Sequence, residues 1–227
     1  MAPRLVARVR PLLRGRVVSG DALYCQKALC RRIHKAGGDY LFAVKANQPG
    51  LREDVSLLFC DPPPGEAFRQ THTVDAHGGR VEQRWLRAST ALAGYLREAG
   101  WVGAGQVLEV RTSVRWPAYP QRPSPQELRY FLSSLPAQVS AHRALELVRQ
   151  HWHIENRLHW PRDVTLGADA SQVRFGHAPQ ALSAVRNVVV GVLHLYHAAN
   201  LAAAQRIHAW SPPARVLSLL GLTPEKL

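Results

Sequence analysis

The sequence predicts an α/β fold. Three observations predict it: a strand–helix–strand run at the start, a Pro-punctuated middle whose residues alternate like antiparallel strands, and helical periodicity from Ser140 onward. Arg16 to Gly20, RVVSG, reads as a short buried strand ending at Asp21. Leu23 to Ala36 carries apolar residues at helical spacing until Gly37-Gly38 stops it, and Tyr40 to Val44, YLFAV, is a second short apolar strand. From Pro49 the texture changes, with DPPPGE at Asp61 to Glu66 and WPAYPQRPSP at Trp116 to Pro125 punctuating strands near Gln70–Asp75, Arg80–Arg87, Val107–Val114 and Leu128–Ser133. The His77-Gly78-Gly79 turn suits a hairpin between the first two of these. A helix is expected from Ser140 to about Trp160, where Pro161 biases its predecessor out of helix, and another from Pro179 to Ile207. These readings divide the chain into residues 1–48, a β-rich segment 49–138, and a helical segment 139–227.

Composition narrows the partners. Hydrophobic residues are 46% and charged residues 20% of the 227, which fits a folded globular chain rather than a disordered one. Lys and Arg number 29 against 16 Asp and Glu, a formal +13 with a pI near 10.6, so a polyanion is attracted before any specific contact forms. Nucleic acid is the first partner to consider. Cys25, Cys30 and Cys60 are odd in number and form no CxxC pair, which argues against a disulfide framework or a thiolate zinc site and favours a reducing, cytoplasmic location. The Arg-rich, acid-free N-terminus superficially resembles a transit peptide but runs straight into VVSG, so it reads as the start of a domain. The apolar stretch from Leu182 is interrupted by Arg186, Asn187, His194, His197 and Asn200, so no membrane partner is expected.

The densest set of functional side chains is HWHIENRLHW, His151 to Trp160. At about 100° per residue, Leu147, Ile154 and Leu158 form an apolar stripe, and His151, Glu155 and His159 follow its border at i, i+4 and i+8. A carboxylate there sits at the rim of a core, where it can meet a metal or substrate; the alternative is a Glu paired with its His and Arg neighbours. Asp21 is the second candidate, because open α/β sheets place ligands at the carboxyl ends of their strands; its alternative is a plain helix N-cap.

Five blocks, VVSGDALYCQK, GGDYLFAVKANQPGLREDV, HGGRVEQR, RPSPQELRYFLSSL and HWHIENRLHWPRDVTLGADASQVRFGHAPQAL, resemble, in order, those of DDE transposases of bacterial insertion sequences, in the ISAs group of the IS-four-like superfamily. The resemblance implies a ribonuclease-H-like core interrupted by a β-rich insertion at about Pro49 to Ala137 and completed by C-terminal helices. It implies that Asp21 and Glu155 are the second and third catalytic, metal-binding carboxylates. The implied cofactor is Mg2+ or Mn2+, which activates the attacking water or 3′-hydroxyl and stabilises the leaving oxygen. The implied partner is double-stranded DNA, both transposon inverted-repeat ends and target, with Lys27, Lys45, Arg80, Arg84, Arg149 and Arg157 as candidate contacts to phosphate.

The pattern departs from the family in places. None of the 20 residues preceding Asp21 is acidic, so the first catalytic Asp has no counterpart, and Asp39 falls on the wrong side of Asp21 to replace it. The expectation is a truncated or frameshifted copy, or one reading-frame piece, inactive or incomplete alone and prone to self-association through an exposed sheet edge. Ala168 stands where the family is usually acidic, and Pro161-Arg162 replaces a pair more often apolar. Two rival readings remain: a non-catalytic DNA-binding remnant that competes or co-assembles with intact transposase, and a metallohydrolase built on His151, Glu155 and His159.

Overall fold

The computed structural model describes residues 6–152, 159–196 and 200–219. It divides into two compact units, Met1–His151 and Trp152–Leu227, described separately here.

The first unit is built on one six-stranded sheet. Strand β1, Val17–Gly20, leads through a 3-10 turn, Ala22–Tyr24, into helix α1, Lys27–Lys35, and back to strand β2, Asp39–Val44. β2 lies parallel to β1, with Val17 opposite Asp39 and Gly20 opposite Phe42. Helix α1 points Leu29, Cys30 and Ile33 inward at i, i+1 and i+4. It ends because Gly37 takes φ 77°, a left-handed conformation that suits glycine, while Gly38 N–H closes back onto Ile33 O.

The segment after Pro49 opens with a helix, ahead of the first strand expected near Gln70. Helix α2, Pro49–Cys60, buries Leu51, Val55, Leu58 and Phe59 at i, i+4, i+7 and i+8. Pro at the first helical position fixes a helical φ where the N–H needs no partner, so Pro49 starts the helix. Strands β3, Arg69–His77, and β4, Arg80–Ser89, then form the expected hairpin, with both Gly78 and Gly79 at positive φ as a two-residue turn requires. A short helix, α3, Ala93–Glu98, intervenes before β5, Gln106–Arg115, and β6, Gln126–Ser133.

β6 returns to β2 and pairs with it antiparallel, Leu41 opposite Ser133, giving the order β1-β2-β6-β5-β4-β3. The four strands of the 49–138 segment therefore extend the sheet that β1 and β2 begin. Among these strands β1–β2 is the parallel pair, and the sheet is otherwise antiparallel. One face packs Tyr40, Phe42, Tyr130 and Leu132 against α1 and α2. The other packs Leu41, Ala43, Leu108 and Phe131 against helix α4, Ala141–His151, through Ala141, Ala144, Leu145 and Val148. The buried stripe of α4 thus runs beside the one expected through Leu147, which is partly buried at its edge.

In the second unit, a single π-helical turn, Pro161–Thr165, precedes helices α5, Ala178–Leu195, α6, Leu201–Ala209, and α7, Pro213–Leu219. The continuous helix expected from Pro179 to Ile207 is two helices, because the Asn200 side chain accepts from Ala203 N–H and caps a new start. Among the described residues no helix is long and apolar enough to cross a membrane.

Neighbouring leucines test the face that α2 buries. Leu58→Ala should cost about 2–5 kcal/mol in urea unfolding, whereas Leu57→Ala, 62% exposed, should stay within about 0.5 kcal/mol. Equal effects would refute this helix orientation.

Candidate functional site

β1 ends at Gly20, opposite Phe42, and parallel β2 runs two residues farther, so the residues just past the two strands come within side-chain reach. They are Asp21 and Lys45, and the Lys45 Nζ lies 3.0 Å from Asp21 Oδ1. Asp21 is extended at φ −68° and ψ 170°, and it heads the 3-10 turn without a side-chain capping bond to it. Asp21 thus occupies the N-cap position of the turn without the side-chain bond of an ordinary cap. Its carboxyl titrates below the usual Asp range. The largest cause is a hydrogen bond from the Ala22 backbone, followed by that from Lys45; partial burial opposes them, and the charges of Lys45 and His151 add to the lowering.

Helix α4 brings a third element to this end of the sheet. Its last residue, His151, places Nδ1 3.2 Å from Ser19 Oγ on β1. The segment after β2 closes the cluster from below: Asn47 Nδ2 donates to Ala22 O at 2.7 Å, and Gln48 Nε2 donates to Cys25 O at 3.0 Å. The result is an ionised, half-exposed carboxylate at the C-terminal ends of two parallel strands, with a lysine and a histidine beside it. Carboxylate oxygens are the donors that hard divalent cations take, so Asp21 fits one ligand position for Mg2+ or Mn2+. It is one carboxylate, and among the described residues no group of three or more His, Cys, Asp or Glu could hold a metal. Glu155 and Arg157 lie outside the described residues. His159 is 3.4 Å from Arg162 Nη2, and Arg162 is paired with Asp163.

The remaining basic candidates do not gather around Asp21. Lys27 sits 5.6 Å over the Trp101 ring at the start of α1. Arg80 lies at the β3–β4 hairpin, 53% exposed and 3.8 Å from Glu82. Arg84, 17% exposed, is held between Asp75 and Glu82, and Arg149 meets the same Asp75 at 3.1 Å. Arg84 and Arg149 thus neutralise acids on the sheet, and sequence alone gives no sign of those cross-strand partners. The converse omission is the acid-free start: Arg10, Arg32 and Lys35, with Val6 and Ala7, line a recess of about 270 Å³. The signal for it was the Arg-rich N-terminus itself. A wider recess, about 1050 Å³, opens over β3 to β6, where His72 stacks on Trp85; neither Asp21 nor Lys45 lines it.

A family model described as the transposase DDE domain matches residues 1–186. The chain belongs to the DDE transposase family. It is 32% identical to "Putative protein YbfL" of Escherichia coli K12 over 189 residues, 80% of this chain and 48% of that protein. It is 30% identical to "H repeat-associated putative transposase YhhI" of the same strain, covering 80% and 48%. It is 29% identical to "Putative transposase YncI" of Escherichia coli O157:H7, covering 80% and 46%. The chain spans about half the length of these curated relatives. A solved structure, of Streptomyces venezuelae DesVI, aligns at TM-score 0.26 and 14% identity over 61% of this chain and 53% of that one, too slight an overlap to inform fold or function.

The lowered Asp21 value has a measurable sign. Carboxyl-carbon NMR should place its midpoint below ordinary Asp, and Lys45→Gln should move it upward. Because the folded value is depressed, the stabilisation from Asp21 is present above the ordinary Asp range and is lost as pH falls through the folded midpoint. An unmoved midpoint in Lys45→Gln would remove Lys45 as a cause.

Proposed function

We propose that this chain is the portion of an ISAs-group DDE transposase that carries the second and third catalytic carboxylates, Asp21 and Glu155, for cutting and joining DNA strands at transposon ends. The observation that carries this reading is the ionised Asp21 at the carboxyl ends of parallel β1 and β2, where the last residue of α4 also arrives. Glu155 follows four residues after His151 in sequence. On this reading β1 and β2 are strands of a ribonuclease-H-like core. β1 occupies a sheet edge, where further core strands or a second copy of the chain would pair. The first carboxylate would come from the part of the relatives that this chain does not span.

The DDE transposase family is generally divalent-metal dependent. Asp21 and Glu155 would hold Mg2+ or Mn2+, which would supply activation of an attacking water or 3′-hydroxyl and stabilisation of the leaving oxygen. Asp21 is already ionised at neutral pH, so no proton need leave before it serves as a ligand. Lys45 neutralises that carboxylate across a solvent-exposed ion pair, a weak contact that can exchange for a DNA phosphate. Arg10, Arg32 and Lys35 line one recess, and they would track the phosphate backbone of a cytoplasmic DNA partner.

The high positive charge equally supports a chain that binds DNA without catalysis, and metal dependence separates the two. In the transposase reading, Mg2+ should raise affinity for a terminal-repeat duplex several-fold in an anisotropy titration, and Asp21→Asn or Glu155→Gln should abolish that rise. Affinity indifferent to Mg2+ and to both substitutions would leave the binding-only reading. In either case, replacing Arg10, Arg32 and Lys35 together by Gln should reduce the slope of log affinity against log salt by roughly 2 to 3 if the basic recess contacts duplex DNA. An unchanged slope would exclude that surface.

A further inference from the structure

The turn that carries Asp21 has little structure of its own to fix it. It is one 3-10 turn, Ala22–Tyr24, closed by bonds from Tyr24 N–H to Asp21 O and from Cys25 N–H to Ala22 O, both 2.9 Å. Ala22 and Cys25 are buried, but Leu23 is 69% exposed and Tyr24 41%. A lone turn of this kind is an unstable unit without tertiary support.

Ala22 and Cys25 anchor the turn in the core and Gln26 Nε2 donates to Leu23 O at 3.0 Å, while Lys45 to Gln48 grips it from the end of β2 at three points. Lys45 meets the carboxylate, Asn47 donates to Ala22 O at 2.7 Å and Gln48 donates to Cys25 O at 3.0 Å. The three contacts differ in kind. Lys45 and Asp21 are 58% and 51% exposed, so their pairing is weak and screened, and a cation arriving at Asp21 would compete with it directly. The two amide contacts are neutral, go to backbone carbonyls and leave both carboxylate oxygens available. They hold the turn after the ion pair has been released.

We infer that Asn47 and Gln48 are positioning residues: their side-chain amides fix the turn following Asp21 to the end of β2, so that the carboxylate is preorganised for a divalent cation. This rests on the reading of Asp21 as a metal ligand. Hydrogen-bond partners that orient a ligand are part of a metal site's affinity, because a turn already fixed loses less freedom when the cation binds. Sequence separations of 25 and 23 residues make the clamp dependent on β1–β2 pairing rather than on local turn chemistry.

The test uses the whole chain with Mn2+ alone as the probe, read by electron paramagnetic resonance of the free ion. The variants Asn47→Leu and Gln48→Met remove the donors at similar size, singly and together. The double variant should weaken Mn2+ binding roughly tenfold or more, each single variant should weaken it less, and Asn47→His, which restores an N–H at similar reach, should recover much of the loss. Leu58→Ala, which empties part of the core but removes no donor to the turn, should keep wild-type Mn2+ affinity, which separates positioning from general loss of stability. Wild-type affinity in the donor-less variants would overturn the proposal. If the double variant fails to melt cooperatively, the single variants decide by the same criterion. Equal Mn2+ binding by wild type and Asp21→Asn would instead overturn the assignment of Asp21 as ligand, and the clamp's proposed purpose with it.

Discussion

Pairing of β2 along both of its edges, parallel to β1 and antiparallel to β6, joins what would otherwise be two separate pieces of sheet. The strand is buried from Tyr40 to Val44, with Tyr40, Phe42 and Val44 facing one core and Leu41 and Ala43 the other. Such two-sided burial demands a continuous apolar run rather than alternation, and YLFAV supplies it. Where the ladder to β6 ends, side chains take over: Ser134 Oγ accepts from Tyr40 N–H at 2.9 Å and donates to Asp39 Oδ1 at 2.8 Å, and Ser133 Oγ donates to Tyr40 O at 3.0 Å. Ser134 Oγ thus satisfies the buried Tyr40 N–H, and Ser133 Oγ adds a second donor to Tyr40 O beside Ser134 N–H. Because β2 is fixed in this way, the position of Lys45 to Gln48 is fixed too, and through it the turn that follows Asp21.

Charge is spent unevenly over this frame. Glu109, 1% exposed on β5, lies between Arg87 at 2.8 Å and Arg111 at 3.0 Å, and a buried carboxylate is costly without such partners. Arg87 also covers the rings of Phe59 and Phe68 and donates to Phe59 O at 3.0 Å, tying α2 to the sheet. Arg84 and Arg149 converge on Asp75 on the opposite face. Several arginines of this very basic chain therefore act inside the fold. The net charge of +13 attracts DNA as a whole, but the number of arginines in a segment does not reveal which of them reach a phosphate.

Legibility followed the range of the interactions involved. The β1–α1–β2 run, the Gly78-Gly79 hairpin and strands β3 to β6 could be read because each rests on local signals: short apolar runs, helical spacing, and glycines where φ must be positive. Helix α2 went unread, although Pro49 at its first position is a local start signal. The division at Asn200 was hidden because a capping side chain looks, in sequence, like any polar interruption of an apolar helix. Asp21 was legible as a candidate from its place after a buried strand, whereas Asn47 and Gln48 looked like an ordinary polar loop, since their partners lie 25 and 23 residues away.

The sequence by itself determined the α/β class, the basic character and the resemblance to DDE transposases, because composition, periodicity and ordered motif blocks are properties of the chain as written. Tertiary structure decided that the middle segment extends the same sheet, that Asp21 lies beside Lys45 with His151 close to Ser19, that Arg84 is held between two acids, and that Arg10, Arg32 and Lys35 line one recess. The physical reason is that strand register and helix docking set these relations between residues far apart in the chain, and no local pattern encodes which distant side chain will arrive within hydrogen-bonding distance.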